Sequence, residues 1–173
     1  MQSIAWWPTV IVLTVATFTD LRSRRIPNWL VFPFMLAGLV VSFAPPAWRG
    51  IGFGQSLEGL GLGILLFGIL AWMGGMGMGD VKLCAALGAW IGPKQLLMAL
   101  VVTGIVGGFM AVGWAALGGF LGELFSGSSS LLFGWKKRGM RTDPELTLSN
   151  PRARKMPYAP AIAIGTLFSF FAG

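Results

Sequence analysis

Long apolar stretches dominate this sequence and limit the folds that it can adopt. Apolar residues make up 55% of the chain and charged residues only 11%, and the mean hydropathy is +0.74. A backbone in lipid must satisfy its own hydrogen bonds, which favours helices. The sequence therefore predicts an all-α, polytopic membrane protein with about six transmembrane helices. The apolar stretches run at about residues 4–19, 29–44, 57–78, 82–92, 95–122 and 157–172.

The intervening segments indicate how the chain is organised. The stretch 82–92 is short for a membrane span, so we expect it to be tilted, half-buried or continuous with the next one. Residues 123–156 are polar and rich in basic side chains, which is typical of a solvated cytoplasmic loop. We predict a single membrane-embedded domain over residues 1–173.

The basic residues predict the orientation in the membrane. If the N-terminus faces outward, only Arg49 and Lys94 of the 13 Lys and Arg residues fall on the outer side. Because cytoplasmic loops carry the excess of basic residues, the opposite side should be cytoplasmic. The net charge of +7 is then explained by topology and by attraction to anionic lipid, and gives no argument for nucleic-acid binding.

Two residue types that often carry catalysis are scarce. The chain has no histidine and one cysteine, Cys84, which excludes an internal disulfide, a CxxC zinc site and a histidine-based triad. We therefore expect no metal and no cofactor. Cys84 itself is predicted to be a small buried apolar residue rather than a nucleophile.

Two acidic residues stand out by their position relative to the spans. Asp20 follows the first apolar stretch and Asp80 the third, so counting spans places both at the cytoplasmic face. Taken alone, Asp20 could be an ordinary interfacial charge, and Asp80 could be a helix N-cap. As a pair in a chain without histidine, they are the best candidates for catalytic residues.

Paired carboxyl groups can activate water. Two carboxylates in one site do not both ionise easily, so one retains a proton. The ionised group can take a proton from water while the other donates to a carbonyl oxygen, which allows peptide hydrolysis without a metal. A serine–lysine protease is the alternative enzyme, and Ser23 with Lys82 is the nearest pairing for it.

Three segments resemble the signature sequences of the type IV prepilin peptidases, which are membrane aspartic proteases of the GxGD class. They are DLRSRRIPN at 20–28, GMGDVKL at 77–83 and the proline-containing MPYAPAIAIG at 156–165. The resemblance implies that Asp20 and Asp80 are catalytic. It further implies cleavage of a short basic leader, after a glycine, from a prepilin or pseudopilin precursor at the cytoplasmic face of a bacterial inner membrane.

The same resemblance points to a subgroup. The longer members carry a cysteine-containing segment and also methylate the product, whereas this chain resembles the short form without the methyltransferase segment, associated with tight-adherence (Flp) pili.

Supporting roles can be assigned within these segments. Gly77 and Gly79 should free the backbone beside Asp80. Pro27 and Asn28 should start the second span with a turn. Lys82 is either a cation near the acidic pair or an ordinary cytoplasmic flank. Pro157 and Pro160 should interrupt the start of the last span and leave backbone groups free near the site.

Glycines spaced by four predict close helix packing. Three such pairs occur: Gly59 with Gly63, Gly104 with Gly108, and Gly118 with Gly122.

Other functions remain as alternatives. A presenilin-like intramembrane aspartic protease would share the GxGD motif, but Asp20 follows Thr19 rather than a tyrosine. A proton-coupled transporter would also use membrane acids, although internal repeats and midplane acids would be expected. A non-enzymatic assembly subunit would leave both aspartate segments without a role.

Overall fold

The described part of the chain is helical. The computed structural model describes residues 4–44, 51–72, 76–117 and 156–172, and no strand occurs within these ranges. The helices are α1 (Trp6–Ser23), α2 (Asn28–Val41), α3 (Phe53–Trp72), α4 (Met78–Leu117) and α5 (Ala159–Ala172). The prediction of an all-α chain is confirmed for this part, while the predicted basic loop at 123–156 lies almost wholly outside it.

Helix α4 is interrupted at Gly92, which has φ 75° and ψ 175°. Glycine adopts this positive φ without the steric cost of a Cβ, and Pro93 then follows as a residue that cannot donate a backbone hydrogen bond. The interruption divides α4 into a first segment, 78–91, and a second segment, 93–117. These segments correspond to the fourth and fifth apolar stretches, so the short stretch continues into its neighbour through a break.

The first segment of α4 lies in the centre of the bundle. Every residue from 83 to 91 is buried, because α2, α3 and α5 all pack against α4. On the side of α2, the Trp90 indole stacks on Phe34 with ring centroids 5.2 Å apart. Its Nε1–H also donates to the Phe34 carbonyl oxygen at 2.7 Å. This burial by protein explains how a short stretch can lie at membrane depth.

Glycines bring α3 and the first segment of α4 into backbone contact. A Cβ on Gly59 would collide with the carbonyl group of Gly88, and one on Gly63 would lie 2.8 Å from the backbone of Ala85. The packing role predicted for Gly59 and Gly63 is confirmed. For Gly104 and Gly108 the described residues show no such packing, because an added Cβ there would meet no described atom beyond the local helix within 4 Å. Gly118 and Gly122 lie outside the described residues.

Two of the described helices, α3 and α4, are long and apolar enough to cross a membrane, and α2 and α5 are shorter apolar helices. Large apolar side chains also point outward from the bundle, including Trp72, Phe109 and Leu117 at 76%, 77% and 92% exposure. Such a surface suits lipid rather than water. The total of six membrane crossings stays a prediction.

Candidate active site

Asp20 lies in the last turn of α1 and is buried, with 6% of its surface exposed. The helix continues to Ser23 and ends at Arg24, whose φ of 51° and ψ of 38° are left-handed. Asp20 therefore lies inside the helix. The predicted end of the first span at residue 19 would instead place Asp20 after the helix. The following residues 21–25 are exposed, so the basic side chains of this segment lie at the surface just after Asp20.

The start of α5 holds the Asp20 carboxylate. The backbone N–H of Ala159, the first residue of α5, donates to Asp20 Oδ2 at 2.9 Å. The first N–H groups of a helix have no partner within the helix. In α5, Ala161 and Ile162 donate to the Tyr158 carbonyl oxygen, and Pro160 has no N–H. Asp20 thus supplies the missing acceptor from a residue 139 positions away.

This contact agrees with the expectation that the prolines would free backbone groups near the site. Pro157 is buried and precedes the helix, and residues 156–158 are not helical. Sequence reasoning did not identify Asp20 as the partner, and it did not identify Tyr158 or Ala159 as residues of the site. Their only signal was the position between Pro157 and Pro160.

Asp80 occupies the first turn of α4, which begins at Met78. The N–H groups of Asp80 and Val81 donate to the Gly77 carbonyl oxygen at 3.1 and 3.4 Å. Gly77 is therefore the N-cap residue, and Asp80 lies three residues later, within the first turn, where its carboxylate accepts a backbone hydrogen bond from Gly77. The Asp80 carboxylate turns back towards Gly77, since a Cβ there would lie 3.3 Å from Oδ2.

The two aspartate segments contact each other beside the carboxyl groups. Gly79 packs against Ile26, where an added Cβ would lie 3.3 Å from the Ile26 Cβ. Lys82 Nζ donates to Asn28 Oδ1 at 3.1 Å and lies 5.4 Å from the centre of the Phe32 ring. Pro27 is the N-cap of α2, and Asn28 is its first residue. These contacts attach the start of α4 to the start of α2.

The carboxyl groups of Asp20 and Asp80 are close enough for their charges to interact, and Cys84 lies near Asp80. The structure therefore brings the predicted pair into one site. Cys84 is fully buried, as predicted. Tyr158 also belongs to these surroundings, because its hydroxyl is near Cys84 and Asp80.

The serine–lysine alternative finds no support in this geometry. Ser23 Oγ donates to the Thr19 carbonyl oxygen at 2.7 Å, whereas Lys82 is bound to Asn28. Neither group is directed to the other. Within the described ranges, no three His, Cys, Asp or Glu residues are grouped so that they could hold a metal ion.

Comparison with known proteins gives consistent matches. Residues 7–112 match the type IV leader peptidase family. A prepilin leader peptidase/N-methyltransferase of Aeromonas hydrophila is 35% identical over 109 residues, which cover 59% of this chain and 37% of that protein. A protein of the same description from Xanthomonas campestris is 39% identical over 101 residues, covering 55% and 34%.

A third relative of that description, from Bacillus subtilis, is 26% identical over 179 residues, covering 99% of this chain and 58% of the relative. The chain thus spans between about a third and somewhat more than half of the length of these relatives. No solved structure matches. The matches do not distinguish the tight-adherence subgroup, which stays a prediction.

Proposed function

Because the chain belongs to the type IV leader peptidase family, we propose that it is a membrane aspartic endopeptidase for prepilin-like precursors. It removes the short basic leader of the precursor by cutting after a glycine. The mechanism is supported by the placement of Asp20 and Asp80, which come from helices distant in sequence and lie close enough for their charges to interact. The names of the relatives, which describe prepilin leader peptidases, support the choice of substrate.

The pair acts by general acid–base catalysis. One aspartate, ionised, takes a proton from a water molecule, and the resulting hydroxide attacks the carbonyl carbon of the scissile peptide. The other aspartate, protonated, donates to the carbonyl oxygen as the tetrahedral intermediate forms. Collapse of that intermediate breaks the C–N bond, and a proton passes to the leaving amine. Ala159 occupies one oxygen of Asp20, which leaves the other oxygen for the water.

We place this site at the cytoplasmic face of the bacterial inner membrane. The support is the basic character of its surroundings, since Arg22, Arg24 and Arg25 are exposed just after Asp20 and Lys82 lies beside Asp80. A cytoplasmic position agrees with the excess of basic residues on that side. The precursor's leader would be cut there while its apolar segment lies in the membrane.

The test is removal of the leader from a candidate short prepilin expressed together with this chain, followed by mass spectrometry. Asp20→Asn and Asp80→Asn keep the shape of the side chain but cannot exchange the proton. Because paired catalytic groups act as a unit, each single change should abolish cleavage about as fully as the double change. Activity of the wild type should fall on both the acidic and the alkaline side, as for coupled carboxyl groups.

Glu58→Gln is the matched control, because it makes the same exchange on an exposed residue of α3. It should process the precursor normally at equal protein levels. An Asp80→Asn protein that accumulates normally and cleaves at the wild-type rate would refute the mechanism. A wild-type chain that leaves every tested prepilin intact, but changes proton flux across vesicles, would instead support the transporter alternative.

A further inference from the structure

The only tyrosine of the chain contacts the second segment of α4 at one glycine. Tyr158 is half-buried, and its ring edge and hydroxyl lie against Gly107. A Cβ at position 107 would lie 2.7 Å from both Cε2 and Oη of Tyr158. A Cβ added to the adjacent Gly108 or to the nearby Gly104 would have no described atom within 4 Å. Of these three glycines, Gly107 is therefore the one against which a described side chain packs.

A second contact fixes α5 two turns further along. Gly165 lies against the Ala99 carbonyl oxygen and the Thr103 hydroxyl so closely that a Cβ would collide with both. Thr103 and Gly107 are one turn apart on α4, whereas Tyr158 directly precedes α5 and lies seven residues before Gly165. Two contacts of this kind determine both the axial position of α5 and its rotation. The ring of Tyr158 is the contact nearer to the acidic pair.

The backbone of Tyr158 connects this contact to Asp20. Its carbonyl oxygen accepts the first hydrogen bonds of α5, and the next residue, Ala159, donates to Asp20 Oδ2. If the Tyr158 ring is displaced and its backbone moves with it, the N–H of Ala159 also moves. Hydrogen bonds depend steeply on distance and angle, so the orientation of the Asp20 carboxylate follows the start of α5.

We propose that Tyr158 is a positioning residue for Asp20, which acts through its ring on Gly107 and through the N–H of Ala159. The inference rests on the proposed peptidase function and names a residue that tunes it. Tyr158 does not itself exchange a proton with the substrate. Its side chain determines where the helix start meets the carboxylate.

Gly107→Ala tests this proposal with little change elsewhere. The added methyl group meets the far end of the Tyr158 side chain rather than backbone, so the fold can accommodate it by moving that residue. We expect kcat for a precursor peptide to fall by roughly 10- to 100-fold, as a misplacement of about 1 Å can cause. KM should change by less than about twofold, since substrate binding is not the affected step.

Gly108→Ala is the matched control, because it makes the same change one residue away, where no described atom lies within 4 Å of the added Cβ. Both variants should be purified as full chains in nanodiscs, and kcat should be compared at equal amounts of folded protein. A Gly107→Ala protein whose kcat equals that of Gly108→Ala would overturn the proposal. So would a Gly107→Ala protein whose activity falls only in proportion to lost folded protein.

A second set of variants separates the ring from the hydroxyl. Tyr158→Phe keeps the ring and should retain a much larger share of kcat than Tyr158→Ala. Tyr158→Leu makes room for the methyl group that Gly107→Ala adds. The loss of kcat caused by Tyr158→Leu should therefore be smaller in the Gly107→Ala protein than in the wild type. Equal loss in Tyr158→Phe and Tyr158→Ala would mean that the hydroxyl acts, and would refute the positioning role. If neither wild type nor Gly108→Ala cleaves any precursor, the proposed function itself fails.

Discussion

The two segments of α4 have similar apolar sequences but different surroundings. In the first segment every residue from 83 to 91 is buried, whereas in the second only positions 96, 99, 103, 107 and 115 are. Four of these, 96 to 107, recur at intervals of three or four residues, which is the stripe of a helix with one packed face. The first segment is surrounded by protein, and the second presents most of its surface outward, where lipid would lie.

This difference shows that hydropathy alone does not identify the functional core of a membrane protein. Both segments are apolar enough for a membrane, yet Asp80 lies on the one that protein surrounds. The glycines show the same division. Gly88 contacts the backbone of α3, while a Cβ added at Gly104 or Gly108 would meet no described atom beyond the local helix within 4 Å. Equal substitutions in the two segments should therefore have unequal effects.

The largest effect is expected at the crossing of α3 with the first segment. Gly88→Ala would place a methyl group on the backbone of Gly59, where no side chain can move aside. We expect a loss of about 3 kcal/mol in unfolding free energy, at the upper end of the cost of overpacking. Equilibrium unfolding in mixed SDS micelles would measure it. A Gly88→Ala protein as stable as the wild type would contradict the close crossing of these helices.

A smaller effect is expected when a tryptophan in each segment is replaced by phenylalanine. Trp90→Phe removes the hydrogen bond to the Phe34 carbonyl oxygen and leaves a small void in a buried position. The loss should be about 1–2 kcal/mol. Trp114→Phe is the control, since Trp114 is 41% exposed and should change stability by less than about 0.5 kcal/mol. Equal losses of unfolding free energy in Trp90→Phe and Trp114→Phe, in the same assay, would contradict the difference in burial between the two segments.

The smallest effect, and of opposite sign, is expected on the open face of the second segment. Gly104→Ala and Gly108→Ala add helix propensity without meeting a described atom. Each should raise the unfolding free energy by about 0.5 kcal/mol. If either change destabilises the protein in nanodiscs, another helix must lie against that face. Crosslinking between copies of the chain would then show whether the helix belongs to a second copy.

Local signals in the sequence predicted part of this architecture. Apolar runs located the helices because each run needs a helix in lipid, and Pro27 did mark the start of α2. The predicted end of the first span at residue 19 is four residues too early, because residues 20–23, with the charged Asp20 and Arg22, continue the helix beyond the apolar run. The predicted boundary between the third and fourth spans is also wrong, because α3 ends at Trp72 and Met78 already begins α4.

Relationships between distant residues were harder to infer. The spacing of Gly104 and Gly108 matches that of Gly59 and Gly63, but spacing does not specify which surface lies opposite. The pairing of Asp20 with Asp80 was predicted by counting spans, which assigns both residues to one membrane face. The Asp20–Ala159 bond was not predicted, because a backbone donor has no side chain to reveal it.

That bond has a consequence for biosynthesis. Asp20 is synthesised with α1, whereas its donor is made 139 residues later. Until α5 inserts, the carboxylate lacks the group that orients it, and the second segment of α4 lacks the helix that covers its packed face. A nascent or truncated chain that carries both aspartates but ends before α5 therefore lacks the donor that holds Asp20. Under the proposed function, such a chain would gain hydrolytic competence only after α5 is in place.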